Sequence, residues 1–69
     1  MYNNLKRVLK EKGITNVMLA EFLGVSEKTA SNKLNGNTDF TLAEAMKINK
    51  LLCPEYTMDF LFAVYLEAS

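Results

Sequence analysis

The chain has 69 residues, 49% of them hydrophobic, with one cysteine, no histidine and a formal net charge of +0. That length makes one domain, 1–69, near the lower limit for folding without disulfides or metals; the lone Cys53 excludes an internal disulfide, and without histidine a zinc site is all but ruled out. No cofactor is therefore expected, and a reducing, cytoplasmic setting fits best.

The zero net charge conceals an asymmetry. Residues 1–33 hold six basic side chains (Lys6, Arg7, Lys10, Lys12, Lys28, Lys33) against three acidic ones, a net +3, and residues 34–69 carry a net −3. A basic half and an acidic half fit a molecule that turns one face to phosphates, although charges scattered over a solvated surface are the plain alternative.

The first helix is predicted from about Leu5 to Lys12, with Asn4 as its cap, Leu5, Val8 and Leu9 as its buried stripe and Gly13 as its stop. Lys6, Arg7 and Lys10 face outward, either as a solubilising surface or as phosphate contacts. Residues 15–36 then read as two short helices pinned around a glycine, a helix-turn-helix. Thr15 and Ser26 are hydroxyl caps, Gly24 tolerates the positive φ that ends the first of the pair, and Ala20 and Ala30 are small where two helices come close. Ile14 with Leu19, and Val25 with Ala30, have the spacing of hydrophobic staples. The second of the pair has only Ala30 and Leu34 as plainly apolar residues, which suits a recognition surface better than a core element.

The clearest helix start is Phe40-Thr41-Leu42-Ala43-Glu44, in which Thr41 and Glu44 can cap each other's backbone amides and Phe40 can pack on Ala45. This helix is expected to reach about Leu52, burying Leu42, Ala45, Ile48 and Leu52 with Met46 and Leu51 at its margins, until Pro54 ends it. Cys53 reads as a small buried residue at that end. The last helix, about 57–67, is apolar almost all round. Met58 and Leu61 are assigned to the monomer core and Phe62, Tyr65 and Leu66 to a twofold interface, since one face of so small a domain is left to meet another chain. A fill of the monomer core by all of them is the alternative. No basic leader precedes an apolar N-terminal run, and the longest apolar stretch, Phe60 to Leu66, is far short of the ~20 residues a bilayer needs, so no membrane partner is expected.

These residues resemble the Cro/C1-type helix-turn-helix regulators of phages and bacteria, the XRE family, from about Leu5 to Phe62. The likeness is carried by Gly13-Ile14-Thr15, Leu19-Ala20-Glu21, Leu23-Gly24-Val25-Ser26, Thr29-Ala30-Ser31, Asn35-Gly36 and the Leu42 to Leu52 helix. It implies an all-α fold, a compact five-helix bundle of the lambda-repressor-like type in which helices 2 and 3 form the motif. The chain departs from the family at three places. Asn16 stands where a phosphate-holding Gln is common. Lys33 stands where a hydrophobic residue is usual, so Leu34 is expected to point inward and Lys33 outward. Leu9 and Leu34 occupy the positions of a buried Arg–Glu pair, and replacing both partners together by apolar groups is often neutral or stabilising, which predicts contact between the two leucines.

The resulting expectation is a small transcriptional regulator, in the manner of a Cro-like phage repressor, that binds double-stranded DNA in the major groove with residues 27–35; a restriction-modification controller and an antitoxin share this architecture and stand as alternatives. Lys28 would read guanine, Asn32 adenine, Thr29 a thymine methyl and Glu27 cytosine, although Glu27 also suits the helix dipole. Asn16, Ser26, Lys33, Asn35 and Thr38 would hold phosphates. A homodimer on a palindromic operator is expected, and no small-molecule ligand is evident. Nothing resembles an enzyme: there is no Cys–His or paired-carboxylate arrangement and no glycine-rich phosphate loop. The competing reading is a protein-interaction module, an antirepressor or assembly subunit, acting through the apolar C-terminal helix. It would gain if the acidic half neutralised the basic half in space.

Overall fold

In the computed structural model the described residues are 2–63, and they form five helices with no strand among them. These are α1 (Asn3–Glu11), α2 (Asn16–Leu23), α3 (Glu27–Leu34), α4 (Leu42–Lys47) and α5 (Met58–Leu61). Ile48–Leu52 continues α4 in a wider, π-helical winding that ends at Cys53. None of the described helices is long and apolar enough to cross a membrane.

Hydroxyl caps start four of the five helices. Thr15 accepts from the Met18 amide at 3.2 Å, Ser26 from Thr29 at 3.1 Å, Thr41 from Glu44 at 3.1 Å and Thr57 from Phe60 at 3.1 Å. Each cap satisfies an amide that would otherwise lack a partner, an effect of about 1 kcal/mol. At α4 the Glu44 carboxylate reaches back to the Thr41 amide at 2.9 Å, completing the reciprocal capping box. Gly24 closes α2 with φ +73°, which allows the Gly24 and Val25 amides to bond back to Glu21 O at 3.2 Å and Ala20 O at 3.0 Å. Gly36 (φ +83°) closes α3 in the same way, with Asn37 donating to Asn32 O at 2.9 Å.

The first helix corrects the expected boundary. It starts at Asn3, and Asn4 is no cap but a buried residue of the helix itself, donating from Nδ2 to Phe60 O at 2.9 Å. Asn4 lies one turn from Val8 on the inward stripe, so its amide ties α1 to α5. Ahead of it, Tyr2 is held by edge contacts with the rings of Phe40 (5.4 Å) and Phe62 (5.8 Å), which themselves meet at 5.4 Å.

Leu5, Val8, Leu9, Leu19, Ala20, Ala30, Leu34, Ile48, Cys53 and Leu61 make one core. Leu9 and Leu34 both belong to it, and Ala20 and Ala30 are buried where α2 packs on α3. Burial pushes the Cys53 thiol up against the opposing pull of Lys12, so at neutral pH it is a protonated, small core group.

One further expectation is overturned. Leu42 is 71% exposed rather than buried. It sits about a third of a turn round the helix from Ile48, and Phe40, just ahead of the cap, takes the inward place. Phe62, assigned above to a twofold interface, is half-buried and packs within its own chain in the three-ring cluster with Tyr2 and Phe40. Leu61 is fully buried and Met58 half-buried, while Tyr65 and Leu66 lie outside the described residues.

The turn after the π-helical segment depends on one side chain. Asn49 Nδ2 donates to Cys53 O at 3.1 Å and to Tyr56 O at 2.7 Å, binding the Pro54 turn to the end of α4. Asn49→Ala is expected to lower stability by about 1–2 kcal/mol in urea unfolding. Asn49→Asp, which presents acceptors to two carbonyls, should cost more. A loss from Asp no greater than that from Ala would contradict this role.

Candidate nucleic-acid interface

The N-terminal half of the motif is built by local chemistry. With Thr15 and Ser26 at the caps and Gly24 between them, α2 and α3 meet at a fixed angle through Ala20 and Ala30. Only Ala30, Lys33 and Leu34 of α3 are buried, a stripe at i, i+3 and i+4. Lys28 and Glu27 are exposed and Thr29, Ser31 and Asn32 half-buried on the remaining surface. Lys28 and Asn32 stand one turn apart and share a face. The first-turn amides of α2 and α3 that lack intrahelical acceptors lie at the positive ends of the two helices, the arrangement that favours phosphate oxygens.

Lys33 is where the structure departs most from expectation. It faces inward, 9% exposed, with Nζ 3.0 Å from Glu44 Oε1, donating to Asp39 O at 3.0 Å and lying over the Phe40 ring, 6.0 Å from its centroid. It therefore keeps the inward position that the family gives to a hydrophobic residue. Its aliphatic stem fills that place while the ammonium finds a carboxylate and a carbonyl. Lys33 is withdrawn from the phosphate-binding set. Burial would raise the Glu44 pKa, but the Thr41 amide and the Lys33 ammonium outweigh it and hold the carboxyl below its ordinary value.

The other expected phosphate contacts are differently placed. Asn16 and Thr38 are exposed. Asn35 is also exposed, but its Oδ1 accepts from Lys6 Nζ at 2.9 Å, which brings a cation from α1 to the end of α3. The Ser26 hydroxyl is engaged with Thr29, accepting from its amide and donating to its Oγ1 at 2.9 Å. Asn32 Oδ1 accepts from Asn37 Nδ2 at 3.4 Å, and the Asn32 side-chain amide hydrogens have no partner among the described residues.

The acidic half neutralises part of the basic half. Lys33 pairs with Glu44, and Lys12 with Glu55. The hydrogen bond to Glu55 raises the Lys12 pKa, and the same bond lowers that of Glu55. Among the described basic residues of 1–33, Lys6, Arg7, Lys10 and Lys28 remain outside these ion pairs. One further contact has no signal in the linear sequence: Lys47 donates to Phe22 O at 3.1 Å and stands 4.8 Å over the Phe22 ring, clamping the last turn of α2 to α4. Among the described residues no group of three or more Cys, Asp or Glu side chains is arranged to hold a metal ion.

Five helices with α2 and α3 joined through a left-handed glycine define a helix-turn-helix protein. A family model described as Helix-turn-helix matches residues 5–52, and the chain belongs to that family, the Cro/C1-type regulators. The family is one of DNA-binding regulators and not of enzymes. No curated protein and no solved structure matches the chain.

The Lys33–Glu44 pair makes stability depend on acid. A carboxyl held below its ordinary value of 4.5 contributes stability that is fully present above that value and is lost as pH falls through the lower folded value. Glu44→Gln should therefore cost roughly 1–2 kcal/mol at neutral pH. The gap from the native protein should narrow below pH 4.5 in chemical unfolding series. A gap that does not change with pH would show that the carboxylate charge is not what the fold uses.

Proposed function

We propose that this regulator reads a specific double-stranded DNA sequence with α3 in the major groove, and that it acts as a Cro-like, phage-type repressor, as a homodimer on a palindromic operator. The observation that supports this reading is the division of α3 between three inward residues and an outward set of Glu27, Lys28, Thr29 and Asn32 beside the start of α2. Lys28 would donate to guanine O6 and N7, and Asn32, with free amide hydrogens, would pair with adenine N6 and N7. The Thr29 hydroxyl is occupied by Ser26, which leaves its methyl for thymine. Glu27 would accept from cytosine N4. Asn16, Ser26, Asn35 and Thr38 would flank the groove at phosphates, with the Ser26 contribution falling to its backbone and Asn35 acting together with Lys6.

Few cations are available to one protomer, which is the argument for a dimer. Two copies would set two α3 helices one DNA turn, ~34 Å, apart. With Phe62 drawn into its own chain, the proposed contact between protomers falls to Tyr65 and Leu66.

A second reading has one observation in its favour. Neutralisation of Lys12 and Lys33 by Glu55 and Glu44 weakens the basic footprint, as a protein-interaction module (an antirepressor or assembly subunit working through its C-terminal helix) would tolerate. Selection of bound duplexes from random DNA separates the two, because an interaction module enriches no sequence. On the selected site, Lys28→Ala or Asn32→Ala should each cost about 1–3 kcal/mol and relax one base position. Asn16→Ala should weaken all sequences alike. Unchanged affinity and specificity for the first two variants in gel-shift titrations would remove α3 as the reader.

A further inference from the structure

Between the second half of α1, the turn that leads into α2 and the last turn of α3 the surface opens into a cleft of about 410 Å³. Its floor is apolar, made by Leu9 and Leu34 with the half-buried Ile14. Lys6 and Lys10, both exposed, stand at its α1 side, Asn16 lies at its α2 end, and no carboxylate among the described residues lines it. Around the two leucines the chain carries Gly13, Thr15 and Ser31, none large enough to fill the space.

We propose that this cleft binds a small amphipathic anion, an apolar body carrying one carboxylate. The volume falls in the range of about 300–1,000 Å³ that small-molecule sites occupy, and an apolar floor with a few polar groups at its edge is their usual make-up. Charge decides which amphiphile fits. Lys10 makes no hydrogen bond or ion pair within the described residues, and Lys6, donating one hydrogen bond to Asn35, keeps two more donors. A carboxylate at the α1 side meets two ammonium groups there, whereas a cationic head of the same length meets like charge and no acid. The bound body would also cover Asn16, so on the DNA-binding reading above the anion and the DNA backbone compete for one place, and the regulator gains a response to a metabolite of this class.

The test is an amide chemical-shift titration of the DNA-free protein with decanoate, and with decylammonium as the control of opposite charge. Saturable shifts at residues 6–16 and 31–35 with decanoate, and none with decylammonium, are expected. Lys10→Glu, at an exposed position outside the core, should weaken binding by about fivefold or more, and Ser31→Met, which plugs the cleft, should abolish it. Equal binding of both probes, no shifts, or shifts centred on the exposed Leu42 and Leu51 would overturn the site. A separate titration of the selected duplex without decanoate tests the DNA reading by itself. If that duplex binds and saturating decanoate leaves its affinity unchanged, the competition is refuted while the DNA reading stands.

Discussion

The inward turn of Lys33 is the constraint on which the presentation of α3 depends. A helix of eight residues with a narrow apolar stripe cannot be held by hydrophobic burial alone. Ala30 and Leu34 fix two points of that stripe, and the third is an ammonium group held by Glu44 and Asp39 O. Glu44 is also half of the capping box that starts α4. One carboxylate thus joins the end of α3 to the beginning of the next element and sets the path of the turn between them. Removing either charge would leave the other half-buried and unpaired, which is more costly than the modest attraction of the intact pair.

Several parts of this arrangement are legible in the sequence because they are local. Thr15, Ser26 and Thr41 cap amides three residues ahead, and Gly24 ends α2 through its own backbone, so each is decided within one turn of chain. The core leucines follow from helical periodicity. The misread residues are those whose partners are distant or whose type misleads. Asn4 is polar and precedes an apolar stripe, the pattern of a cap, yet its partner is Phe60 O on another helix. Leu42 is apolar but stands at a helix start where Phe40 has already taken the core position. Lys33 lies at the i+3 position from Ala30, so periodicity points inward, and only its charge suggested otherwise. Of the proposed site, the identity of the outward residues on α3 was readable, while their local partners, Ser26 for Thr29 and Asn37 for Asn32, were not.

Electrostatics set a limit on how the protein can bind DNA. Two of the six basic residues in the first half are spent on Glu44 and Glu55, one to shape the motif and one at the surface between α1 and the turn before α5. Long-range attraction from a few remaining cations is weak at physiological salt. On the proposed reading, contacts at base edges and the helix-start amides would then carry a larger share of the affinity, and duplication of the motif in a dimer would multiply them. The cleft beside α1 places two of the remaining cations, Lys6 and Lys10, next to apolar surface.

The central claim is that α3, braced from inside by Lys33 and Leu34, is the surface that meets DNA. The most direct measurement is the map of backbone amide shifts when the protein is titrated with its selected duplex. The account predicts that the largest changes fall on Glu27 to Asn32 and on Asn16 and Val17 at the start of α2, with Leu42 to Leu52 little affected. Changes centred on Leu42, Met46 and Leu51, with α3 silent, would contradict it.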